Sequence, residues 1–338
     1  MKTKSKSNGP KSKRGSAKRS RPKQVYDVRT PVGFDFCQEG ITQSMLSKVM
    51  CPRAFILALN GYTIEKNTTY FGSLVHGALA SLYMERTYPR PDDVEVAVDN
   101  GWADCCGHGI TSDDEEILYH KARGVLLAYA QVYKTDWTKQ HTVSCEEVFD
   151  LPISPSVLAR RRGMIDRKFT MKNAKTGKRD LWLMEHKTHG RVRIEKLDDL
   201  LSIKFQNVFY ALTDPKIVGI LHNVIRNPQS KPHKGESLDD YERRIEEDCL
   251  SRPDYYFFRW EINCTSKSER VRFIEDLDWL LSKAEEIQRN AQKDRPPANP
   301  LLCEGQEFTC DYLRACATNS MLGYIQKPLY EELTNERD

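Results

Sequence analysis

Residues 181–187, Leu-Trp-Leu-Met-Glu-His-Lys, constrain the fold more than any other stretch of the chain. An apolar run suited to a buried strand passes directly into a carboxylate and an amine two residues apart. Strand side chains alternate between faces, so Glu185 and Lys187 share one face while His186 points away. Upstream, Asp166 closes Gly163-Met-Ile-Asp166 within a second strand-like stretch, 162–171, and Lys175-Thr176-Gly177-Lys178 between the two reads as a turn. The pair is therefore predicted to form a hairpin that brings Asp166 beside Glu185. Two neighbouring carboxylates repel unless a cation lies between them, and hard oxygen ligands suit Mg²⁺ or Mn²⁺. The backbone carbonyl of His186 could add a ligand. Such a cluster has what phosphodiester hydrolysis requires: a cation to polarise the phosphate and activate water, and the Lys187 ammonium to stabilise developing charge or orient the water. In a chain with 30% charged residues the pattern also recurs by chance as a surface salt bridge. The apolar strand leading into it argues against that reading, because a charged pair there is costly unless paired or metal-bound.

Around this hairpin the pattern alternates. Helices are expected over 42–60 (with Pro52 starting a turn or kinking it), 70–86 and 114–137, with 87–113 read as loop from its Pro, Gly and acidic residues. A strand is expected over 142–151, where Glu146 is a further acid for the site. Helix returns over 195–213, strand over 216–225, helix over 238–248, extended chain over 254–263 and a long amphipathic helix over 267–292. The expected fold is α/β, a central mixed sheet flanked by helices. Gln206 and Tyr210 stand at i and i+4 on one helix and can face the same site. His76 shares a helix face with Ser73, Ala80 and Tyr83; a lone helical histidine is ordinarily a packed or surface residue.

Charge is distributed unevenly. The net charge is +4, yet residues 1–24 hold ten Lys or Arg and no acid, so 42 basic and 48 acidic residues remain and the rest of the chain carries −6. That segment reads as a disordered arm with weak attraction for phosphate, a DNA tether or a nuclear-import-like signal. No apolar run approaches the roughly 18–20 residues that cross a bilayer, and no secretory segment opens the chain, so a cytoplasmic protein with no membrane partner is expected. The divisions expected are the basic tail 1–24, a helical region 25–141, a sheet-bearing core 142–295 and a cysteine-bearing segment 296–338.

Five short motifs occur in a fixed order: Cys51-Pro-Arg-Ala-Phe55, Phe71-Gly72-Ser-Leu-Val-His76, Gly163-Met-Ile-Asp166, Glu185-His-Lys187 and Gln206-Asn-Val-Phe-Tyr210. Together they resemble the RecB-like branch of the PD-(D/E)XK nuclease superfamily, which includes phage exonucleases and CRISPR-associated RecB-like nucleases. The resemblance spans roughly residues 42–320; jointly the motifs are specific, though singly none is. It implies a restriction-endonuclease-like core and a Mg²⁺- or Mn²⁺-dependent deoxyribonuclease, acting as an exonuclease on single-stranded DNA or DNA ends. By the same resemblance His76, Asp166 and Glu185 bind metal, Lys187 serves catalysis, and Gln206 and Tyr210 contact DNA. The settings it implies are phage recombination, DNA repair or CRISPR adaptation, with the proteins of those processes as partners.

Ten cysteines in a chain expected to be intracellular point to metal ligation rather than disulfides. Cys303, Cys310 and Cys316 lie within 14 residues, after a proline-rich break. Four thiolates hold a [4Fe–4S] cluster or a zinc ion, so a fourth is required. The resemblance nominates Cys51 and an iron–sulfur cluster that staples the two ends of the nuclease. Zinc, or cysteines scattered as small buried hydrophobes, are the other readings. The alternative to an enzyme is a catalytically inactive iron–sulfur or zinc protein that binds nucleic acid.

Overall fold

A computed structural model describes residues 34–64, 70–106, 109–154, 157–190, 205–264, 266–292, 295–305, 310–330 and 333. The basic segment 1–24 and residues 191–204, where the predicted helix 195–213 begins, lie outside the described residues.

The molecule is built on a mixed sheet. Its strands are β1 (Ile41–Thr42), β3 (Gln140–Ser154), β4 (Val157–Lys172), β5 (Arg179–His189), β6 (Ile217–Arg226) and β7 (Phe257–Asn263). The spatial order is β1-β4-β5-β6-β7, and β3 also pairs with β4. β4 and β5 form the predicted antiparallel hairpin, with Arg167 opposite Met184 and Phe169 opposite Trp182. β6 runs parallel to β5 and is buried along nearly its whole length, as a central strand covered on both faces must be. The short strands β2 (Tyr62–Thr63) and β8 (Ile325–Gln326) pair separately and antiparallel.

Alternation along the strands divides the core in two. Met184, Leu221 and Ile225 pack against α3 (Tyr70–Met84), α4 (Pro91–Cys106), α5 (Asp113–Val132) and α8 (Leu238–Ser251). Leu183, Ile217 and Ile220 pack on the other face with α1 (Gln43–Leu46), α2 (Pro52–Leu59), α7 (Phe205–Ala211) and α10 (Lys267–Ala291). The short helices α6 (Asp136–Lys139), α9 (Pro253–Tyr256), α11 (Pro300–Gly305) and α12 (Leu313–Thr318) complete the described elements. The coarse expectation of a mixed sheet flanked by helices holds.

Two local readings are settled. Of the two roles open to Pro52, the structure shows the start of a new helical turn rather than a kink: it takes the first position of α2, where its missing N–H costs nothing, so 42–60 is two helices and not one. The stretch 87–113, expected to be loop, contains the sixteen-residue α4. Pro91 opens that helix, Asp92 and Asp93 sit in its positive first turn, and Val94, Ala97, Val98, Gly101 and Trp102 form its buried stripe. The same proline and acids that suggested a loop are helix-start signals.

The segment after α10 returns to α2. Arg53 donates through Nε to the Pro296 carbonyl at 3.1 Å and through its backbone N–H to Pro297, and the Tyr312 hydroxyl donates to the Tyr62 carbonyl at 2.7 Å. Among the described residues no helix is long and apolar enough to cross a membrane.

Candidate functional site

The strand β4 changes character at Asp166. Gly163 and Ile165 lie on the α2/α7 face, where a Cβ at Gly163 would stand 2.7 Å from the Phe149 ring and 3.2 Å from the Tyr210 ring. Arg167 and Phe169 lie with Tyr83 and the α3/α5 face. Regular alternation would place Ile165 and Arg167 on one face. On the paired strand Glu146 sits at φ 49°, a left-handed conformation inside a strand, so the ladder is distorted at the level of the acid. That distortion aims Asp166 at the end of β5, where its Oδ2 accepts the His186 backbone N–H at 2.7 Å.

Glu185 is almost wholly buried and pairs with the Lys187 ammonium on the same strand face, as predicted. The Gln206 side chain, from α7, donates to Glu185 Oε1 at 2.6 Å and lies 3.4 Å from the Tyr210 hydroxyl. Gln206 and Tyr210 thus do face the carboxylates together, with Gln206 fixing Glu185. His76 reaches in from α3: its Nδ1 is 3.7 Å from Asp166 Oδ2. Gly72, one turn earlier, lets α3 lie against β5, since a Cβ there would stand 2.8 Å from Thr188 Oγ1. The histidine, both acids and the lysine, spread over more than a hundred residues of chain, therefore meet at one spot.

Electrostatics make this spot a demanding one. Burial pushes the Asp166 carboxyl up to about 6, with the nearby Glu146 charge adding to it and Lys187 and the His186 N–H opposing it. Burial, and then the Asp166 charge, also raise Glu185. For Lys187, burial works downward, but the Glu185 and Asp166 carboxylates outweigh it and hold the ammonium charged. Burial, helped by Lys187, lowers His76 to about 4, so its imidazole is neutral and has a lone pair to give. Two desolvated carboxylates beside a neutral imidazole are a donor set that fits a hard divalent cation; this chemistry suits Mg²⁺ or Mn²⁺ better than a soft metal. Among the described residues no three His, Cys, Asp or Glu side chains stand as a ready-made ion cage.

His186 points away from Glu185, as alternation requires, and enters a network that the sequence did not reveal. Its Nδ1 is 2.8 Å from Asn223 Nδ2, and its ring lies 5.7 Å from that of His76 and 6.1 Å from that of Tyr83. Asn223 Oδ1 accepts from Arg259 Nε at 2.9 Å. Arg259 grips the buried Asp136 through two bonds, at 2.9 and 2.6 Å, and also donates to Tyr129 at 2.7 Å. The Tyr83 hydroxyl donates to Asp136 at 2.7 Å. One signal was present: His222 and Asn223 interrupt a central strand that is otherwise apolar up to Arg226, and buried polar groups there need partners.

The four nominated cysteines also converge. Cys51 is buried at the start of α2, packed with Tyr312, Ala315 and Met321 and near Cys310. The Cys310 thiol is raised by burial and further by Cys51, Cys303 and Cys316, so all four sulfurs share one neighbourhood. The Asn299 backbone N–H points at Cys51 Sγ from 3.5 Å. Four thiols from opposite ends of the chain are a donor set for a soft centre, iron–sulfur or zinc. The described cysteines form no disulfide.

No protein-family model matches the chain, and no curated protein matches it.

Proposed function

We propose that the protein is a Mg²⁺- or Mn²⁺-dependent nuclease that hydrolyses phosphodiester bonds in DNA, with single strands and DNA ends as substrates. The observation that carries the reading is the meeting of His76, Asp166 and Glu185 beside the Lys187 ammonium, on a buried strand end. A divalent cation bound there would polarise the phosphodiester and acidify a water. The residues of this chain supply the rest. Glu185 is held in place by Gln206 and Lys187; Asp166 is held by the His186 N–H. Lys187 remains protonated and presents its charge where negative charge develops on the phosphate. Tyr210, whose hydroxyl lies 3.4 Å from the Gln206 amide, would meet the strand being cut. The PD-(D/E)XK resemblance supports the restriction-endonuclease-like fold, the choice of DNA and the exonuclease activity. The convergence of Cys51, Cys303, Cys310 and Cys316 supports an iron–sulfur cluster that clasps the segment after α10 to α2.

The test is degradation of end-labelled single-stranded DNA with Mn²⁺. Lys187→Ala is expected to slow hydrolysis about 10²–10³-fold, the loss typical of one transition-state donor. Equal rates for the two proteins would remove Lys187 from the mechanism. Absence of hydrolysis by the unaltered protein, with DNA still bound, would instead favour an inactive iron–sulfur or zinc protein that binds nucleic acid.

A further inference from the structure

Beside Arg167, the residue after Asp166 on β4, lies a cavity of about 210 Å³. Arg86, Arg167 and Arg179 line it, together with Gln140, Thr142 and Asp136. Arg167 is only 1% exposed. Its guanidinium donates to the Thr142 hydroxyl at 3.2 and 3.0 Å and to Gln140 Oε1 at 2.7 Å, and lies 3.6 Å above the Tyr83 ring. All of these partners are neutral. Asp136, the one acid lining the cavity, is held by both arms of Arg259, and among the described residues no carboxylate pairs with Arg167. Around Tyr83 two guanidiniums thus face a single carboxylate.

That excess is expensive. An ion withdrawn from water loses more than a desolvated cation–π contact returns. Hydrogen bonds to Thr142 and Gln140 satisfy donors without neutralising charge. At the mouth the imbalance grows: Arg179, tied to Thr170 at 2.9 Å, and Arg86, placed at φ 57° just beyond the end of α3, are both exposed cations. The cavity is somewhat larger than one known to take benzene, so it has room for one tetrahedral oxyanion with a few waters. Guanidinium forks match the oxygens of phosphate.

We propose that this cavity is a phosphate-binding site, separate from the carboxylate site and fed either by a backbone phosphate of a nucleic-acid strand or by free phosphate. Two turns of α3 separate His76 from Tyr83, so the two sites are about 10 Å apart along that helix. The proposal does not depend on the nuclease reading.

Calorimetric titration of the full chain with sodium phosphate, in EDTA and against sodium chloride of equal ionic strength, tests it. Saturable binding is expected, weakened at least about tenfold in Arg86→Gln/Arg179→Gln, whose altered residues are exposed and carry no core. Arg272→Gln, an exposed arginine on α10, is expected to leave the affinity unchanged. Absence of saturable binding, equal affinity in the double variant, or equal loss in Arg272→Gln overturns the site. A single-stranded oligonucleotide whose affinity falls both with added phosphate and in the double variant identifies strand phosphate as the source. An oligonucleotide that is unaffected, or does not bind, assigns the site to free phosphate. Hydrolysis is not read in this titration, so its failure leaves the carboxylate site untouched.

Discussion

Asp166 and Arg167 are neighbours in the chain and sit in opposite electrostatic worlds. On the side of Asp166, two buried carboxylates and a neutral imidazole share one ammonium, and burial has pushed Asp166 up to about 6. On the side of Arg167, two guanidiniums share one carboxylate around Tyr83. One strand, distorted at a single level, holds a site short of positive charge next to a site short of negative charge, and α3 reaches both. The difference teaches that buried charge in this fold is not arranged for stability alone, since an unbalanced buried ion costs more than an apolar replacement.

The largest effect that could break this contrast lies on the cationic side. Arg259→Met leaves Asp136 buried with only tyrosine and amide partners and is expected to destabilise the protein by about 3–5 kcal/mol, the cost of breaking a buried ion pair. Chemical denaturation reads this directly; unchanged stability would mean that the Asp136–Arg259 pair does not hold the fold together.

A smaller effect sharpens the anionic side. Below about pH 6 the Asp166 carboxyl takes up a proton in the metal-free protein, and a cation must displace it. His76 stays neutral down to about 4. Apparent Mn²⁺ affinity is therefore expected to fall as the pH drops from about 6 to 4, by about tenfold per pH unit from Asp166 alone, with Glu185, also raised by burial, steepening the fall. Titration followed by Mn²⁺ electron paramagnetic resonance measures the slope; a flat profile down to pH 4 would exclude Asp166 as a ligand.

The carboxylate side was far more legible in the sequence than the cationic one. A period of two put Glu185 and Lys187 together and turned His186 away, and the Lys175–Lys178 turn fixed the hairpin, because these are local rules. The i, i+4 spacing likewise brought Gln206 and Tyr210 to one site. Left unread was the break in alternation at Asp166: it arises where two strands distort together, and Glu146, whose backbone is left-handed, is not a glycine that would have announced it. The Asp136–Arg259 pair spans 123 residues and joins a short helix to the last strand of the sheet, so no periodicity predicts it. The helix α4 was missed for a different reason: Pro91, Asp92 and Asp93 serve equally in a turn and in a first helical turn, and only the buried stripe that follows decides between them.

The central claim is that His76, Asp166 and Glu185 together hold a divalent cation beside Lys187. Anomalous diffraction from crystals grown with Mn²⁺ tests it most directly. The account predicts a manganese peak enclosed by those three side chains, lost in Asp166→Asn. A peak elsewhere, or none at that position with Mn²⁺ in excess, would contradict it.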